Sequence, residues 1–115
     1  MKLVWVDQIT DDTEKTTDFY ASIFAAEKVP YDEGNGYTSY SVKDREGEEV
    51  FGIVEEAVFP DWAHGWVLYF EVDDLAACCD QIERQGGTVL RRSEKHCLFR
   101  DPAGAPAVVQ VTRNE

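Results

Sequence analysis

One pattern is written twice in this chain of 115 residues, and nothing else in it restricts the fold as much. Val4, Trp5 and Val6 lead through Ile9 to Thr10, Asp11-Asp12 follows, and Thr16, Phe19, Tyr20, Ile23 and Phe24 then recur at helical spacing. Further on, Trp66 to Val72 is aromatic, β-branched or otherwise apolar except for Glu71, as a buried strand is, and Asp73-Asp74 ends the run. Leu75, Cys78, Cys79 and Ile82 next recur at helical spacing, with Asp80, Glu83 and Arg84 mostly on the other side. A shift of 62 residues lays Asp11-Asp12 on Asp73-Asp74, Thr16 on Cys78 and Tyr20 on Ile82. The expectation is a duplicated unit, since self-similarity at a fixed offset constrains every element at once.

Each aspartate pair predicts a helix start, because a short carboxylate accepts the unpaired N–H groups of a first turn and suits the positive end of the helix dipole. Gly86-Gly87 predicts a helix stop. The remaining punctuation predicts strands at Leu3–Ile9, Lys28–Asp32, Tyr37–Val42 and Glu49–Glu55 in the first half, with a helix from about Asp12 to Ala25. The second half predicts strands at Thr88–Arg91, His96–Arg100 and Ala107–Thr112. Pro30 marks an edge strand or the end of a strand, because proline gives a sheet no N–H. The turns KDREG and RDPAGAP match each other through Asp44 with Asp101 and Gly47 with Gly104. One domain of 115 residues is expected, made of a first module at 1–56 and a second at 66–115, with Glu56–Gly65 as a short connector.

Charge narrows the partners. With 23 acidic against 11 basic residues the net charge is −12, which argues against nucleic acid, whose phosphates need clustered Lys and Arg. A negative field favours the approach of cationic small molecules instead. No apolar run approaches the roughly 20 residues of a membrane span, and MKLVWVDQIT has no signal-peptide core, so no membrane partner and a cytoplasmic location are expected. Three cysteines, two of them adjacent, do not make a disulfide framework.

A doubled strand–helix–three-strand unit, with Phe19-Tyr20 in the first helix, VDDL at the second helix start, a GG stop and DPAGA before the last strand, resembles the vicinal oxygen chelate superfamily. That superfamily includes glyoxalase I, bleomycin-resistance proteins and extradiol dioxygenases. The resemblance covers nearly the whole chain. It implies an α+β fold of two tandem βαβββ modules whose curved mixed sheet wraps a cleft, and a homodimer.

In the metal-dependent members, the first and last strands of each module supply the ligands, typically His, Glu or Gln. The matching positions here are Trp5, Val67, Val108 and, in the first module, Phe51 or Ile53, none of which carries a ligating atom. The expectation is therefore no cofactor and no metal. A two-residue shift along the same faces reaches Asp7, Tyr69 and Gln110, with Glu55 available from the first module, which is a set poor in imidazole. His64 beside Trp62 and Trp66 is a candidate acid or base, whereas His96 and Cys97 point to opposite faces of a strand and do not pair.

Asp7 is a carboxylate in the middle of an apolar strand, which suits the wall of a cleft better than a closed core. Trp5, Asp7, Tyr40, Phe51, Trp66, Tyr69 and Gln110 are the expected binding residues, an aromatic wall with a carboxylate. The resulting expectation is a metal-free protein that binds a small organic molecule, aromatic or cationic, as the bleomycin-resistance type does. The alternatives are a metal-dependent lyase or isomerase of glyoxalase type with Asp7 or His64 as base, and an interaction module whose cleft is filled by its own side chains.

Overall fold

The computed structural model describes residues 1–32, 34–58 and 65–111. Within them the chain runs β1 (Lys2–Thr10), α1 (Thr13–Phe24), β2 (Glu27–Asp32), β3 (Thr38–Lys43), β4 (Glu49–Glu55), a 3-10 turn (Glu56–Val58), β5 (Gly65–Val72), α2 (Leu75–Arg84), β6 (Thr88–Arg92), β7 (His96–Arg100) and β8 (Pro106–Val111). The class is α+β, and the order strand, helix, three strands occurs twice, as the repeat predicts. Two compact units are distinguished: Val6–Trp66, and Met1–Trp5 with Val67–Glu115. No helix among the described residues is long and apolar enough to cross a membrane.

In the first module the strand order is β2-β3-β4-β1. β4 and β1 are parallel, with Asp7 opposite Gly52 and Thr10 opposite Glu55, and the other two pairings are antiparallel. Pro30 lies in β2, at the end of this order. Val42 pairs with Phe51 but Lys43 pairs with Glu49, so Val50 is an extra residue, a β-bulge. The helix begins where Asp12 accepts the N–H of Lys15 and ends at Ala25, whose φ of +52° is a left-handed conformation unusual for a residue with a Cβ. Side chains fasten α1 to the sheet: Thr16 to Thr10 at 3.0 Å, the Thr13 hydroxyl to the Thr38 carbonyl at 3.2 Å, and Asp18 to Lys28 at 2.8 Å. The hydrogen bond that Lys28 donates to Asp18 raises the Lys28 pKa, and the same ammonium stands 5.3 Å from the centre of the Tyr40 ring.

In the second module the order is β5-β8-β7-β6, with β5 and β8 parallel and the hairpins antiparallel. Leu75 and Cys79 of α2 close a buried cluster with Cys97 and Val109, flanked by Phe70, Ile82 and Phe99. The two glycines that stop α2 do different work. Gly86 takes a φ of +94°, while a Cβ on Gly87 would lie 2.8 Å from Ile82 Cγ2 and 2.9 Å from the Arg100 carbonyl oxygen. The turns before the final strands match as expected. Asp44 Oδ1 accepts the N–H groups of Glu46 and Glu48, and Asp101 Oδ1 accepts those of Ala103 and Ala105. Thr112, expected to end the last strand, lies outside the described residues.

Candidate functional site

The helix decides which face of each sheet is available. In the first module α1 touches Thr10, Phe51 and Lys28. Residues directly paired across strands share a face, so Gln8, Ile53 and Tyr40 lie on the helix side as well. Tyr40 and Phe51, expected beside Asp7, are therefore on the opposite side from it, and so is Glu55, which is paired with Thr10. For Phe51 and Glu55 the cause is the bulge; Tyr40 follows from alternation along β3, which sets it opposite Ser39 and Ser41. Counting from Gly47 as from Gly104 to Val108 reaches Phe51, but Val50 adds one residue and exchanges the faces of β4, so Gly52 shares the face of Asp7. Trp66 joins the helix-side rings, with its centroid 5.6 Å from that of Tyr20 and 5.2 Å from that of Phe51.

The helix-free face of the first module is polar where a core would be apolar. Asp7, Gly52, Ser41 and Val29 form one row across its four strands. Two residues further along each strand come Ile9 opposite Val54, and Ser39 opposite Tyr31. Asp7 is 6% exposed, Ser41 2% and Ser39 0%. The Ser41 hydroxyl donates to the Glu49 carboxylate, whereas Ser39 Oγ, enclosed as it is, has no hydrogen-bond partner. Alternation along β1 sets Trp5 on the same side of the strand as Asp7.

On the helix-free face of the second module Tyr69, Val108 and Leu98 make one row and Glu71, Gln110 and His96 the next. All three members of the second row are half-buried. Tyr69 and Gln110 were expected on this face; Glu71 and His96 beside them become visible only with the strand register. Cys97 points the other way, into the α2 core, as alternation requires. Burial first, and then hydrogen bonding to Cys79, pushes its thiol up to about 12, and burial also raises the Cys78 thiol. The Cys97 thiol therefore stays protonated at neutral pH. His64, the other expected acid or base, lies outside the described residues.

The family model of the Glyoxalase/Bleomycin resistance protein/Dioxygenase superfamily matches residues 2–106. The chain belongs to that superfamily. Structures of the same fold include the NAD-dependent benzaldehyde dehydrogenase from Legionella pneumophila, with a TM-score of 0.64 at 13% identity over 95% of this chain and 98% of that one. The methylmalonyl-CoA epimerase of Streptomyces coelicolor, in complex with 2-nitronate-propionyl-CoA, has a TM-score of 0.61 at 16% identity, covering 99% of each chain. The epimerase from Mycobacterium tuberculosis has a TM-score of 0.61 at 17% identity over 98% of this chain and 89% of that one. No curated protein sequence matches the chain.

With the bulge taken into account, the positions matching the superfamily's metal ligands are Trp5, Gly52, Val67 and Val108. An indole, a hydrogen and two isopropyl groups offer no lone pair to a divalent ion, so these residues do not fit a metal. Among the described residues no group of three or more His, Cys, Asp and Glu is placed to hold one.

Proposed function

We propose that this superfamily member binds a small organic molecule, without a metal, on the helix-free face of its first module, and that Asp7, Ser39 and Ser41 recognise a cationic or hydrogen-bonding group of it. One observation carries the reading: Ser39 Oγ is fully enclosed and unpartnered on the same face as a buried carboxylate. An unsatisfied buried hydroxyl costs about 1–3 kcal/mol, and a ligand atom that bonds it recovers that loss. Glycine at position 52, between Asp7 and Ser41 in the row, puts no side chain between them.

The charge supports the same choice. A chain of net charge −12 favours a cation over a polyanion, so although the Streptomyces epimerase holds an acyl-CoA analogue, a CoA ester is the poorer candidate here. The test is calorimetric titration with a panel of small aromatic amines and quaternary ammonium compounds, alongside matched neutral compounds. Saturable binding of a cation, lost in Asp7→Asn and weakened in Ser39→Ala, is the expected result. Binding indifferent to both substitutions, or confined to anions, overturns it. Elemental analysis belongs to the same test: stoichiometric Ni, Zn, Mn or Mg that raises the melting temperature would favour a metal-dependent lyase or isomerase instead.

A further inference from the structure

The connection between β2 and β3 carries a chemistry that the fold does not need. Residues 34–37 read Gly-Asn-Gly-Tyr, whereas the connection between β6 and β7, which holds the same place in the second module, is Ser93-Glu94-Lys95 and has no asparagine. The ladder of β2 and β3 ends at Asp32 with Thr38, so Asn35 and Gly36 stand outside the sheet. Both are exposed, and Gly36 and Tyr37 line an open hollow of about 580 Å³ that admits water to the loop.

The local geometry favours one reaction. Oδ1 of Asn35 accepts the N–H of Tyr37 at 3.0 Å, which turns the carboxamide toward the backbone that follows it and draws electron density from Cγ. Gly36 supplies the nitrogen nearest along the chain to that carbon. It has no side chain to hinder an attack, takes a φ of +86°, and has nothing within 4 Å of where a Cβ would stand, so the loop has room to close a ring. Among the described residues neither the Gly36 N–H nor the Asn35 amide nitrogen has a hydrogen-bond partner.

We infer that Asn35-Gly36 is a self-modification site, at which the native chain loses ammonia and acquires aspartate or isoaspartate. The Gly36 nitrogen gives its proton to hydroxide and bonds to Asn35 Cγ; the bond from Cγ to the side-chain nitrogen breaks, ammonia leaves, and a five-membered succinimide remains. Water then opens the ring. Cleavage at Cγ leaves aspartate in an ordinary chain, and cleavage at the main-chain carbonyl leaves isoaspartate, with the chain running through Cβ and Cγ. The sum is amide and water giving carboxylate and ammonium, with no change of oxidation state. Either product adds a negative charge to a chain already at −12. Aspartate keeps an oxygen for the Tyr37 N–H, but isoaspartate lengthens the loop by one backbone atom just ahead of Thr38, whose carbonyl accepts the Thr13 hydroxyl of α1. The inference does not depend on the ligand.

Incubation of the whole protein in water enriched in heavy oxygen, at neutral and mildly alkaline pH, tests it. Ring opening places one heavy oxygen in the product, so only conversion during the incubation is counted. Trypsin releases Asn35 within Val29–Lys43, and the same peptide made synthetically is incubated in parallel. Labelled Val29–Lys43 is expected in two chromatographic forms, the isoaspartyl one taking a methyl group from S-adenosylmethionine when an isoaspartyl methyltransferase is added. The rate should rise with pH and be of the same order in the native protein as in the free peptide. Gly36→Ala should slow it by an order of magnitude, because a methyl on the attacking residue hinders ring closure. Asn35→Ser, which keeps an oxygen for the Tyr37 N–H, should leave Val29–Lys43 unlabelled, so the label is that of Asn35. A native chain that stays unlabelled, or converts more than an order of magnitude more slowly than the peptide, overturns the inference. So does conversion equally fast in Gly36→Ala, or label that persists in Asn35→Ser.

Discussion

Asp12 and Asp74, 62 residues apart, make the same hydrogen bond in the two modules. Oδ1 of Asp12 accepts the N–H of Lys15 at 3.0 Å, and Oδ1 of Asp74 accepts the N–H of Ala77 at 3.0 Å. Each carboxylate also sits at the positive end of its helix. Replacing either by Ala should cost about 1 kcal/mol, and by Asn or Ser considerably less, since those residues cap almost as well. The two losses should add, because the caps share no partner. Urea unfolding of the single and double variants measures this; a loss on Asp→Asn as large as on Asp→Ala would show that charge and not capping is at stake.

The helix ends predict opposite responses to small changes. Ala25 holds a left-handed conformation with its side chain exposed, and Ala25→Gly relieves a strain of about 1 kcal/mol while adding a smaller entropic cost in the unfolded chain. A small rise in melting temperature is expected. Gly87→Ala should destabilise by about 1–3 kcal/mol, because the added methyl meets Ile82 Cγ2 and the Arg100 carbonyl at closer than contact distance. Thermal melts of the two variants should move in opposite directions.

Cys97 should be the least reactive thiol in the native chain. With its pKa pushed from 9.0 to about 12 and no solvent exposure, it carries almost no thiolate near pH 8. Mass spectrometry after brief treatment with iodoacetamide should find it unmodified until the chain is unfolded. The same shift has a sign for stability. The folded state holds the proton more tightly than the unfolded state, so the contribution is complete below about pH 9 and is lost as the pH climbs toward 12. Cys97→Val should flatten the alkaline limb of a stability–pH curve.

Asp101 should matter more than an exposed turn residue ordinarily does. One carboxylate oxygen accepts the N–H groups of Ala103 at 2.9 Å and Ala105 at 3.0 Å, which shapes the turn into β8. Asp101→Ala should cost roughly 1–2 kcal/mol through the N–H groups it leaves without a protein partner, and Asp44→Ala should behave alike in the first module, where the same oxygen accepts from Glu46 and Glu48. Denaturant melts of both variants check the parallel.

The sequence by itself determined the duplicated βαβββ plan, both helix caps, the GG stop and the paired turns. Those features rest on interactions a few residues long: a carboxylate reaching the next turn, a glycine taking a positive φ, apolar groups recurring at one period. It also placed Tyr69 and Gln110 on one face, because no irregularity interrupts β5 or β8. Only the tertiary structure decided the partners of Asp7. A single extra residue at Val50 exchanged the two faces of β4, moved Phe51 beneath α1 and brought Gly52 beside Asp7. Side chains alternate with a period of two, so every face assignment beyond a bulge depends on it, and a bulge is chosen by strand pairing between segments distant in the chain. Ser39 and Ser41 were visible as an alternating pair, but whether they faced the helix or Asp7 was a question of register, which local periodicity does not contain.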